Sequence, residues 1–190
     1  MITDICIQVS NMSWGGEDIE LIFGDTKIQY SPTYMGVEPI TSLLWVLSET
    51  IRSDMLIDNR LIWLDEPGKL EIDMERDDAK NDLLFLDIKN YPYFGCGDNR
   101  DDVYSNEWHL EVSFSCFKDA VIKEAIRLLK VYGLGGFNQN WLKGNDTFPV
   151  NSLLILLGNK ADNGDIGDKY KDEFHSDILK ELKMLEKICQ

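Results

Sequence analysis

Four successive segments between residues 60 and 116 alternate apolar with polar side chains, and turn signals divide them. "RLIWL" leads through "DEPGK", a strong turn signal, into "LEIDMER", where Leu70, Ile72 and Met74 point one way and Glu71, Asp73 and Glu75 point to a solvated face. The polar "DDAKND" turn precedes "LLFLDIKNY", with Leu84, Leu86 and Ile88 inward. After a long loop, "EWHLEVSFSC" sets Trp108, Leu110, Val112 and Phe114 against His109, Glu111 and Ser113. Because successive side chains leave a strand on opposite faces, this pattern predicts an antiparallel sheet with one wet face.

The same period opens the chain. Ile5, Ile7 and Val9 share a face, Ile19, Leu21 and Phe23 repeat it, and "GD" marks a turn before Ile28 and Tyr30, so a hairpin follows a first strand. In "EPITSLLWVLSETI" the period changes: Ile40, Leu43, Leu44, Leu47 and Ile51 fall at helical spacing behind a proline suited to the first turn. A helix over about 38–53 follows, with Trp45 off its stripe and placed to pack against a second layer. "FKDAVIKEAIRLLKVYG" is a further helix, its stripe formed by Phe117, Val121, Ala125, Leu128 and Tyr132, with Ser115 as N-cap and Gly133 as C-cap. "FPVNSLLILLGNK" reads as a short buried helix, and "FHSDILKELKMLEKIC" spaces Phe174, Ile178, Leu182, Leu185 and Cys189 helically. Helices gathered between and after strands, without βαβ alternation, predict an α+β fold. We expect an antiparallel sheet of about six or seven strands with helices on one face and a helical C-terminal part. The 190 residues suit one domain, strand-rich and acidic with one helix over 1–116 and helical over 117–190.

Charge says which partners such a domain tolerates. The net charge is −15, and all of it resides in residues 1–120, which hold 24 acids and 9 bases; the remainder holds 10 of each. Such a field disfavours nucleic acid and anionic membranes and accelerates encounter with a basic protein by roughly 10- to 1000-fold. Its simplest alternative role is solubility. The start, "MITDICIQVSNMSW", lacks a basic, apolar leader pattern, and "SLLILLG" is far below the ~20 residues of a membrane span, so a cytoplasmic protein is expected. Cys6, Cys96, Cys116 and Cys189 lie far apart with no C-x-x-C pair, which argues for reduced thiols over a zinc site or disulfide scaffold.

Motifs that carry chemistry fail on context. "ADNGDIGDKYKDEF" places Asp162, Gly167, Asp168 and Glu173 in an EF-hand frame, but Gly164 and Ile166 stand where two oxygen ligands belong, so calcium is not expected. "YGLGGF" follows a helix instead of a strand and lacks a phosphate-loop lysine. No cofactor or metal follows. A thiol enzyme would need Cys96 beside His109, and a small hydrolase with its site near residues 90–107 is the alternative to a binding role.

That loop, "NYPYFGCGDNRDDVYSNE", mixes Tyr91, Tyr93, Phe94 and Tyr104 with Asp98, Asp101 and Asp102. Aromatic rings anchor interfaces, and carboxylates around them pair with Lys or Arg on a partner. Trp14, in "NMSWGGED", marks a second contact loop. The segments "YMGVEPITSLLWVL", "GLGGFNQNW" and "FPVNSLL" together resemble small uncharacterised bacterial proteins that act as immunity partners of secreted toxins. The resemblance implies a non-catalytic acidic module that occludes a basic toxin or nuclease, and it carries no functional residues across.

Overall fold

The computed structural model describes residues 1–13, 16–33, 38–53, 57–65, 67–76, 81–92, 103–140, 148–158, 181 and 183. Within them the chain forms β1 (Ile5–Ser13), β2 (Gly16–Phe23), β3 (Thr26–Tyr30), α1 (Pro39–Ser53), β4 (Ile57–Asp65), β5 (Gly68–Arg76), β6 (Leu83–Tyr91), β7 (Asn106–Ser113), α2 (Phe114–Asn140) and α3 (Val150–Leu156). The α+β class and the antiparallel pairing of every ladder are as the alternation predicts.

The single sheet is not. The seven strands divide into β1-β2-β3 and β4-β5-β6-β7, because α1 carries the chain away between β3 and β4. Among the described residues, hydrogen bonds tie the two sheets together at two corners. At one, Ile2 forms a parallel bridge to Val112, its N–H donating to the Glu111 carbonyl at 2.7 Å while Ser113 N–H donates to the Ile2 carbonyl at 2.8 Å. At the other, Thr33 N–H reaches the Leu64 carbonyl at 2.7 Å and the Tyr30 hydroxyl donates to the Trp63 carbonyl at 3.0 Å.

The inward faces meet the helices. α2 lies against β1 and α1 against β4 and α3; Phe23 stacks on Phe117 at 6.3 Å, and the buried Trp63 donates its indole N–H to Ser42 Oγ at 3.0 Å. On α1, Ile40, Leu43, Leu44 and Leu47 are buried as their spacing predicts. Trp45 instead is 61 % exposed, and among the described residues no second layer covers it. Ile51 is 38 % exposed, near the end of the helix.

Gly133, at φ 66° and ψ −176°, closes the first stretch of α2 as the C-cap reading requires. A short second stretch follows, where Leu134 N–H donates to the buried Glu181 carboxylate at 2.6 Å. At the other end the cap is Ser113, not Ser115. Cys116 N–H donates to Ser113 Oγ at 3.1 Å, since β7 runs into the helix with no linker. Asp82 reinforces this start: its carboxylate accepts from Ser115 N–H at 2.7 Å and from the hydroxyls of Ser115 and Ser113. Asp82→Ala should therefore cost about 1–2 kcal/mol, read as a lower urea midpoint with an unchanged slope.

Among the described residues no helix is long and apolar enough to cross a membrane. The 161–174 loop, Cys96, His175 and Cys189 lie outside the described residues, as does the C-terminal helix apart from residues 181 and 183, which are helical.

Candidate functional site

The outward face of the four-stranded sheet is written in its register. Arg60, Asp73, Asp87 and His109 stand side by side across β4 to β7, and the next row sets Ile62, Glu71, Lys89 and Glu107 abreast. A third row brings Lys69 beside Tyr91. Opposite charges facing across strands pair off, and here nearly every cation does. Arg60 grips Asp73 with two hydrogen bonds, at 2.6 and 3.2 Å, and lies 3.4 Å from Glu71. Lys69 binds Glu71 at 2.8 Å and Lys89 binds Glu107 at 3.3 Å. Glu71 is consequently buried, which corrects the expectation of a fully solvated row; two cations clamp it to the sheet.

Tyr91 and Tyr104 meet edge to face at 6.2 Å where β6 ends and β7 begins. The Lys69 ammonium sits 4.4 Å over the Tyr91 ring, and Lys89 lies 5.9 Å from the Tyr104 ring. The backbone holds the pair in place: Ser105 N–H donates to the Asn90 carbonyl at 2.7 Å, and a Cβ on Gly68 would come within 2.7 Å of the Tyr91 carbonyl. Only glycine permits that approach. The Tyr104 hydroxyl donates to Glu107, which holds the Glu107 carboxyl below its ordinary range and raises the tyrosine above its own. Bonding to Glu107 likewise raises Lys89.

His109 Nδ1 lies 2.6 Å from Asp87 and Nε2 lies 3.6 Å from Glu107, so both ring nitrogens face carboxylates. The hydrogen bond to Asp87, more than any other influence, lifts the imidazole above the usual histidine value near 6.5. We expect NMR titration of His109 to show that rise and Asp87→Asn to reverse most of it. Among the described residues no hydroxyl or thiol bonds to His109.

Of the residues singled out from the sequence, the structure brings Tyr91 and Tyr104 together, the first half-buried and the second 43 % exposed. Trp14, Tyr93, Phe94, Asp98, Asp101 and Asp102 lie outside the described residues.

Sequence reasoning missed a second constellation, on the helix side of the three-stranded sheet. Glu17 of β2, Glu38 at the start of α1 and Glu124 of α2 are all buried. Glu38 caps α1, accepting from Ile40 N–H at 2.9 Å and Thr41 N–H at 2.6 Å. Glu124 ties α2 to β1: it accepts from Val9 N–H at 2.6 Å and from Arg127 at 2.6 and 2.8 Å, while Arg127 also donates to the Val9 carbonyl at 2.6 Å. Among the described residues neither carboxyl oxygen of Glu17 has a hydrogen-bond partner. Burial first, then the neighbouring Glu38 carboxylate, pushes Glu17 well above the ordinary carboxyl range, and burial raises Glu38 as well. Two adjacent buried carboxylates cannot both ionise cheaply, so the folded pair favours holding a proton. Among the described residues no three His, Cys, Asp or Glu side chains are arranged to hold a metal ion. The signal for the cluster was present: Glu17 is in phase with Ile19, Leu21 and Phe23, and Glu124 lies beside the Val121–Ala125–Leu128 stripe.

Comparison with protein-family models, with curated proteins and with solved structures finds no match to this chain.

Proposed function

We propose that this protein is a non-catalytic binding module whose outer sheet face docks a basic protein. One observation carries the reading: the Tyr91–Tyr104 pair stands on a sheet face whose cations are already bonded to acids, while Glu75 and Glu111 remain exposed there. A partner's Lys and Arg side chains would find unmatched carboxylates around an aromatic anchor fixed in place before binding. Antiparallel ladders hold that anchor, so little ordering entropy opposes association. The resemblance to immunity proteins narrows the partner class to a basic toxin or nuclease whose cationic cleft the face covers. Association should be fast at low salt and slow as ionic strength rises, because surface charges are screened over about 10 Å at 0.1 M. A pull-down at low salt from extract of the native host should retain a basic protein that elutes as salt is raised. Recovery of no basic protein would count against the reading.

A further inference from the structure

We propose a second docking site, independent of the sheet face: a groove between the outer side of α2 and the end of α3 that takes an acidic amphipathic helix. The groove encloses about 660 Å³. Its floor is apolar, formed by Ile122 and Ile126, both half-buried, and by Leu156 and the 41 % exposed Leu157. Its rim is cationic, with Lys118, Lys123 and Lys130 lining it. Arg127 also lines it but is committed to Glu124 and the Val9 carbonyl, and Asp119, 3.9 Å from Lys118, offsets the charge at one end. Lys123 and Lys130 make no ion pair among the described residues.

Three features select the occupant. An apolar floor between two helices is the geometry in which a third helix lays its apolar face. The cations recur along α2 from residue 118 to 130, a rise of ~18 Å at ~1.5 Å per residue, so they line about three turns of a parallel or antiparallel helix. Lys118, Lys123 and Lys130 stand five and seven residues apart, so acidic residues spaced by about 8 and 10 Å along that helix would meet them. Finally, the molecule carries net charge −15, so its field repels an acidic segment everywhere except where cations are gathered. Position and sign together favour such a segment at this groove.

The test uses the full chain and a fluorescent synthetic peptide of about twelve residues, helical, with leucines on one face and glutamates flanking them. Fluorescence anisotropy at low salt should give micromolar binding that weakens with added salt. Lys123→Glu/Lys130→Glu should weaken it at least 10-fold with circular dichroism unchanged, and Leu157→Glu, at an exposed position, should do the same if the double variant folds poorly. A peptide with lysines replacing the glutamates should not bind. Absence of binding, equal binding by the lysine peptide or equal binding by both variants would overturn the proposal. So would displacement of the peptide's role by sodium decanoate binding alone, which would mark a site for small amphiphiles, or salt-sensitive self-association abolished by the double variant, which would mark an interface between copies.

Discussion

Thermal stability should fall as pH rises from the ordinary carboxyl range toward alkaline values, and Glu17→Gln should flatten that fall. Glu17 and Glu38 both hold protons more tightly in the folded chain than in the unfolded one, chiefly because burial penalises their ions. The native state therefore binds the extra proton. The stability it confers is complete below the ordinary glutamate value and is lost as pH climbs through the raised folded values, by up to about tenfold in the folding constant per pH unit and proton. Glutamine keeps the shape of Glu17 and cannot ionise. At pH 8 the variant should be more stable than the wild type by about 1–3 kcal/mol, because only the wild type must then bury a second carboxylate charge without a partner. For a chain of this size that is about 2–4 °C in Tm for each kcal/mol. Parallel curves for the two proteins between pH 5 and 9 would show that the pair shares no proton.

Glu124→Ala should act in the opposite direction and at every pH. It removes the acceptor of Val9 N–H and of Arg127, leaving a backbone donor and a guanidinium without their partner between β1 and α2. Removing one member of a buried pair costs about 3–5 kcal/mol; Arg127 has a side chain 43 % exposed, so water recovers part of it and about 2–3 kcal/mol is expected. Urea unfolding reads this directly. A loss under 1 kcal/mol would mean that the apolar contacts of α2 on the three-stranded sheet, Phe23 of β2 on Phe117 among them, hold that junction without the polar clasp.

Much of this fold was legible because burial imposes a period. Leu70, Ile72 and Met74, and likewise Leu84, Leu86 and Ile88, are buried where alternation put them. The α2 start was misjudged by two residues for a physical reason: Phe114 is inward in both the strand and the helical phase, so the sequence holds no break between them. The division into two sheets was illegible, since which edges pair depends on long-range contacts such as Ile2 with Val112 and Thr33 with Leu64. At the site, the tyrosines were recognisable as loop aromatics, but their edge-to-face meeting follows from the Asn90–Asn106 register, which no local pattern encodes. Glu17 and Glu124 were overlooked because acids are ordinarily assigned to water; their phase with apolar neighbours was the better guide.

The docking role of the sheet face is tested most directly by comparing how much basic protein three forms of the chain retain at low salt: wild type, Tyr91→Ala/Tyr104→Ala, and Lys123→Glu/Lys130→Glu as a control on the helix side. Our account predicts full retention by the wild type and the control and at least a tenfold loss with the tyrosine variant. Equal retention by all three, with the variants folded, would contradict it.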